Sequence, residues 1–177
     1  MTFLCLDTET TNLLSTRLLP LDKQPEIIEF FGGVISPELD DPIQEGEWLI
    51  KPRLPISDEI TKITGIDDAM VKDAPAFAQV APQIKILIEG ATCVIAHNAS
   101  FDREMIDIEF ERIGQKIAWP AVVCTVEQTI HLVGHRLTLT ALYEYLFSER
   151  FPEAHRARND VMALARCVRE LWKRGEL

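Results

Sequence analysis

The chain has 177 residues, 47% of them hydrophobic, and a formal net charge of −10 at pH 7. That length fits one domain, residues 1–177, with a core of its own, and the apolar content excludes a disordered chain. The acidic balance argues against a protein whose main task is gripping duplex nucleic acid by its phosphates, but it leaves room for a metal-dependent enzyme, because acids gathered around cations lower the charge of the bare chain. No apolar run reaches the roughly 20 residues that span a bilayer, and no signal pattern precedes the first strand, so a cytoplasmic protein without a membrane partner is expected. Cys5, Cys93, Cys124 and Cys167 lack C-x-x-C spacing and read as core thiols of a reducing compartment.

Phe3 to Leu13 opens as an apolar strand that runs into Asp7-Thr8-Glu9-Thr10-Thr11. Side chains at i and i+2 leave the same face of a strand, so Asp7 and Glu9 point together. Leu14 to Pro25 has no clear period and is either a plain connection or a flap carrying Arg17 and Lys23. Ile27–Ile35 and Glu47–Ile50 read as strands about an acidic turn from Ser36 to Glu45, and the short spacing makes the first three strands an antiparallel meander.

A short helix is expected from Ser57, its N-cap, to Thr64 before Gly65, and a second from Pro75 to about Ile88. Thr92–Ala96 is a compact apolar run of the buried parallel type. It leads through His97-Asn98-Ala99-Ser100-Phe101-Asp102 into a helix from about Ser100, the expected cap, to Ile113. Ala121–Cys124 is the fifth strand, and helices follow over Thr125–His131, Leu137–Leu146 and about Arg156–Lys173. The fold class is therefore α/β: a mixed five-stranded sheet, three antiparallel strands then parallel ones, flanked by helices.

Asp102 shares a helical face with Met105, Ile106 and Ile113, and Asp160 lies on the line of Leu164, Cys167 and Leu171. A carboxylate on an apolar stripe is costly. A hydrogen bond or a buried arginine can rescue one such acid, whereas four acids able to meet at one end of the sheet point to bound cations. His155 stands five residues before Asp160, about 140° away on a regular helix, so it can join the same site only from the segment leading into the helix.

Asp7-Thr8-Glu9-Thr10-Thr11, His97-Asn98-Ala99-Ser100-Phe101-Asp102 and His155-Arg156-Ala157 with Asp160 resemble, in order, the three motifs of the DEDDh (DnaQ-like) 3′-to-5′ exonucleases. The family includes the proofreading subunits of replicative polymerases, and the resemblance implies a ribonuclease H-like fold. It further implies metal ligation by Asp7, Glu9, Asp102 and Asp160, a general base at His155, and Thr10, Leu13 and Asn98 beside the substrate. Two Mg²⁺ or Mn²⁺ ions would clamp the attacking and leaving oxygens of an in-line displacement, releasing nucleoside 5′-monophosphates from single-stranded or frayed 3′ ends. DNA is the expected substrate, with RNA as the alternative and a DNA polymerase subunit as a further partner. Asn12 departs from the family's usual glycine, which Asn's tolerance of a left-handed backbone makes mild, and the following loop is longer than common.

Other readings have fewer residues behind them. His131 and His135 have i,i+4 spacing, but the glutamate of H-E-x-x-H is missing, and there is no Walker loop, nucleophile elbow or dinucleotide fingerprint. Phe101 reads as core packing in preference to a base-stacking platform. A catalytically idle, nuclease-like docking module is the rival from another class, and the complete acid set argues against it.

Overall fold

The first strand, β1 (Phe3–Thr10), runs through the middle of a five-stranded sheet. The computed structural model describes residues 2–14, 18–151 and 156–177. β2 (Ile27–Ile35) lies antiparallel to β1, and β3 (Gln44–Leu49) lies antiparallel to β2. On the other side β4 (Cys93–Ala96) and β5 (Ala121–Cys124) run parallel to β1, giving the order β3-β2-β1-β4-β5. The expected mixed sheet is thus observed, with β1 ending three residues earlier than its sequence pattern suggests and β3 beginning inside the expected turn.

Around the sheet are α1 (Asp58–Thr64), α2 (Asp68–Val71), α3 (Phe77–Glu89), α4 (Ala99–Arg112), α5 (Thr125–Gln128), α6 (Ile130–Val133), α7 (Leu139–Phe147) and α8 (Ala157–Arg174). Ser57 caps α1 as expected, its Oγ accepting the Ile60 N–H, and Gly65 ends it at φ 72°, where a Cβ would strain the backbone. The expected helix over Thr125–His131 is broken. The Thr129 hydroxyl donates back to the Thr125 carbonyl at 2.7 Å, and Thr129 leaves helical geometry between α5 and α6. α2 and a 3-10 turn at Leu21–Lys23 are too short to show a periodic signal.

Alternation along β1 divides the core in two. Leu4 and Leu6 face α3 and α4 among Phe30, Ile84, Ile88, Ile106 and Phe110, while Phe3 and Cys5 face α8 among Phe31, Ile35, Val161, Leu164 and Val168. Cys5 and Cys167 are buried, Cys93 and Cys124 half-buried, and all four are free thiols, as core residues should be. Among the described residues no helix is long and apolar enough to cross a membrane.

The Leu14–Pro25 segment is anchored at its far end. Arg112 of α4 donates to the carbonyls of Leu21, Gln24 and Pro25 at 2.6–2.9 Å and pairs with buried Glu109, which also accepts the Ile27 N–H. Arg17 lies outside the described residues.

Phe110 is fully buried and meets Phe77 edge-on at 5.4 Å between centroids. Phe110→Ala should lower the unfolding free energy by about 3–5 kcal/mol. Urea denaturation followed by tryptophan fluorescence measures this, and a loss below about 1 kcal/mol would contradict the packing described.

Candidate active site

β1 and β4 are parallel, so their carboxyl ends lie together, and the chain leaving β4 enters α4 beside the end of β1 where the acids stand. Ligand sites of parallel sheets form at such ends. Continuing the alternation, Asp7 and Glu9 project from the face covered by α8, and one carboxylate oxygen from each of Asp7, Glu9 and Asp160 lies within 4.8 Å of the others. A register shift between Glu9 and Thr10 bends the strand just where the last of these acids leaves it.

Asp102 arrives from the opposite side of β1. Its Oδ1 accepts the Thr8 backbone N–H at 3.0 Å and the Thr8 hydroxyl at 2.8 Å. β4 has already turned away toward α4, so this N–H has no strand partner, and the carboxylate takes the strand's place. α4 begins one residue before the expected Ser100, with Asn98 at its N-cap in the left-handed region (φ 70°, ψ 45°) and no side-chain cap bond. Only a residue that tolerates positive φ turns the chain so tightly from β4 into the helix that carries Asp102. His97 braces the same corner, its Nε2 donating to the Leu137 carbonyl at 3.0 Å and its Nδ1 lying 2.9 Å from the Thr125 hydroxyl. Burial lowers the pKa of His97, partly offset by the Leu137 bond.

The electrostatics are those of acids crowded together in a buried site. Burial first, then the charges of Asp102, Glu9, Asp160 and Glu29, hold the Asp7 carboxyl well above the usual range. Burial pushes Glu9 up to about 8, with Asp160, Glu29 and Asp102 adding to it and Arg156 opposing. Asp102 is pushed up to about 7 by burial, against the two Thr8 hydrogen bonds. A set of oxygen donors whose protons are this tightly held suits hard divalent cations such as Mg²⁺ or Mn²⁺.

Three of the acids therefore form one cluster, and the fourth stands at its edge on Thr8. Thr10 is buried with its hydroxyl donated to the Asn12 carbonyl at 2.8 Å, so it shapes the turn after β1, while Leu13 is 75% exposed and Asn98 is exposed. Asn12 does not use the left-handed tolerance expected of it: Asn98 and Ser148 are the non-glycine residues with positive φ among those described, and the Asn12 side chain instead accepts the Leu13 N–H. Phe101 packs against the core, as expected. His131 pairs with Glu176 and His135 turns to the Val133 carbonyl, so the two histidines share no site. His155 lies outside the described residues.

Two residues of the site's support, Glu29 and Arg156, are given no role of their own by the sequence-based reading. Glu29 of β2 stands opposite Glu9 in the strand register and receives Arg156 and the Ala157 N–H at the start of α8. Its sequence signal, one carboxylate inside Ile27-Ile28-Glu29-Phe30-Phe31, is visible, but its partner is 127 residues away.

A mixed sheet with carboxylates meeting at the end of its middle strand is the architecture of the ribonuclease H-like class. The family described as Exonuclease (RNase_T) matches residues 4–168, and the chain belongs to it. It is 34% identical over 165 residues to a PolC-type DNA polymerase III of Caldanaerobacter subterraneus subsp. tengcongensis, covering 92% of this chain and 11% of that protein. The DNA polymerase III subunit epsilon of Pasteurella multocida is 37% identical over 102 residues, 55% of this chain and 40% of the relative. The chain thus spans about a tenth of the length of its PolC-type relative and less than half of the epsilon subunit. Among solved structures, Exonuclease X in complex with 5′ overhanging duplex DNA superposes with TM-score 0.72 at 25% identity, covering 98% of this chain and 93% of that one. The nuclease domain of 3′hExo, a DEDDh family member bound to rAMP, gives TM-score 0.81 at 17% identity over 98% and 92%, a likeness of fold.

In the metal-free protein the acids bind protons more tightly folded than unfolded. Their contribution is full below the ordinary carboxylate range and is lost as pH rises through about 7 for Asp102 and about 8 for Glu9. Melting temperature in EDTA should therefore fall between pH 5 and 8.5, and Asp7→Asn should flatten the fall. A melting temperature that climbs over that interval in the unmodified protein would contradict this charge arrangement.

Proposed function

We propose that residues 1–177 form a single metal-dependent 3′-to-5′ exonuclease domain that removes nucleoside 5′-monophosphates from single-stranded or frayed DNA ends. The observation that carries this reading is the meeting of Asp7, Glu9 and Asp160 within 4.8 Å, with Asp102 fixed on Thr8 beside them. Three carboxylates on the α8 side and a fourth on the α4 side suit two ions better than one. When bound, such ions stabilise the charge that develops on the transferred phosphoryl group and raise the acidity of water.

The chain's own residues divide the remaining work. Asp7, Glu9, Asp102 and Asp160 would hold the cations, which would supply charge for the scissile phosphate. His155 takes the proton of the attacking water, and its covalent neighbour Arg156 is tied to the sheet through Glu29. Leu13, exposed on the chain leaving Glu9, offers an apolar surface to the terminal base, Thr10 fixes the turn that presents it, and exposed Asn98 flanks the same end from α4. DNA is favoured by the polymerase III relatives and the DNA-bound structural neighbour, which also support proofreading beside a polymerase as the setting.

The test uses oligonucleotides labelled at either end, as paired DNA and RNA versions, with Mg²⁺ or Mn²⁺. Stepwise shortening from the 3′ end is expected on DNA, and Asp7→Asn or His155→Ala should reduce it by about 10³-fold or more. Faster trimming of RNA would move the substrate to the ribonucleotide class. No turnover with any divalent metal would leave a docking module in place of an enzyme.

A further inference from the structure

We infer that Glu29 and Arg156 are a positioning pair for the reaction: the buried Glu29 carboxylate locks the first turn of α8 against β2, setting where Asp160 meets Asp7 and Glu9. The inference rests on the exonuclease reading for its kinetic assay and on the geometry for its content.

Glu29 is only 1% exposed, inside a strand whose other buried residues are apolar. It projects from the α8 face of β2, the face it shares with Phe31 and Ile35, and its register partner on β1 is Glu9. Both carboxylate oxygens are used. Oε1 accepts from Arg156 Nη2 at 2.6 Å and Nε at 3.1 Å, and Oε2 accepts from Arg156 Nε at 3.2 Å and from the Ala157 N–H at 3.0 Å. One side chain thus fixes the residue before α8 and the helix's first backbone donor together.

From there the constraint passes directly to the metal-site acids. The Asp160 N–H donates to the Arg156 carbonyl at 3.0 Å, so the turn that carries Asp160 starts from the residue that Glu29 holds. Arg158, two residues on, pairs with Glu45 and Glu47 of β3 and lies over the Phe31 ring at 5.0 Å, which keeps the helix from swivelling about the Glu29 anchor. Stability alone does not call for this arrangement. A buried ion pair is commonly matched or exceeded by an apolar pair of similar volume, and the neighbouring strand positions are filled that way. What an apolar pair cannot supply is a forked, directional contact that sets the helix's first turn against one strand position.

The test compares Glu29→Gln, Arg156→Lys and Arg156→Gln in the full chain. Three readouts are taken: kcat and KM on a single-stranded oligonucleotide, Mn²⁺ affinity by electron paramagnetic resonance, and melting temperature. Arg156 has a partly exposed side chain, so its replacement keeps the test alive should Glu29→Gln fail to fold. Losing a partner that orients metal ligands lowers activity or metal affinity by about 10- to 100-fold. Glu29→Gln and Arg156→Gln should lose kcat by that factor with KM within about twofold, Mn²⁺ should bind more weakly, and Arg156→Lys should recover part of both. Glu149→Gln, which breaks an exposed pair with Arg166 farther along α8, should change neither.

The inference is overturned if Glu29→Gln and Arg156→Gln keep kcat and Mn²⁺ affinity, or if their losses only track the unfolded fraction. Should the unmodified chain degrade no oligonucleotide, the exonuclease reading fails by itself. The Mn²⁺ measurement then decides the pair, weaker binding supporting it and unchanged binding overturning it.

Discussion

Mutual repulsion among Asp7, Glu9 and Asp160 is the constraint to which the rest of the molecule answers. With their oxygens within 4.8 Å, three ionised carboxylates repel by about 3.5 kcal/mol per pair at an effective dielectric of ~20, roughly 10 kcal/mol in all. That is comparable to the whole net stability of an ordinary domain, about 5–15 kcal/mol. A fold can hold such a cluster by keeping protons on it or by supplying cations. The raised proton affinity of Asp7 and Glu9 is the first state, and it is unsuited to a site that must work near neutral pH. Family membership and the all-oxygen donor set both point to the second.

The packing holds the acids in place against that force. β1 is clamped on both faces, by Leu4 and Leu6 against α3 and α4 and by Phe3 and Cys5 against α8, and it pairs with β2 along its whole length. Each remaining acid then needs one helix brought to the end of this strand. Asp102 reaches it because β4 stops early and Asn98 turns the chain sharply into α4, with the freed Thr8 N–H as the landing point. Asp160 reaches it because the start of α8 is moored to the two antiparallel strands by Arg156 and Arg158. The two routes are unlike, one a strand-to-helix corner and the other a charged tether.

Much of this arrangement is legible in the sequence, because period and burial speak locally. The alternation in Phe3–Glu9 gives both the strand and the shared direction of two acids, and the helical lines through Asp102 and Asp160 mark both as inward-facing. Local signals end where two distant segments decide the outcome. Ser100 has the chemistry of a cap, yet the helix starts at Ala99 because the corner from β4 needs a left-handed residue, a demand set by where α4 must lie. Thr125–His131 has helical composition throughout, but one hydroxyl turned back on the Thr125 carbonyl divides it. Glu29 is conspicuous in an apolar strand, while its role depends on an arginine 127 residues later. The Leu14–Pro25 segment likewise takes its anchor from Arg112, far along the chain.

An acidic protein that handles a polyanion must confine its attraction to a small area. Among the described residues Arg53, Arg112, Arg156, Arg158, Arg166 and Arg174 all pair with carboxylates of the same chain. These six charges are largely neutralised within the fold and add little to long-range, salt-sensitive affinity for duplex phosphates. At the end of β1 two divalent cations would offset the charges of the four carboxylates and remove the repulsion a phosphate would otherwise meet there. On the exonuclease reading proposed above, such a protein would gain little from the body of a nucleic acid and most from the one phosphodiester that reaches the acid cluster. That pattern agrees with the strand-end reading proposed above, and it makes a net charge of −10 compatible with membership of this family.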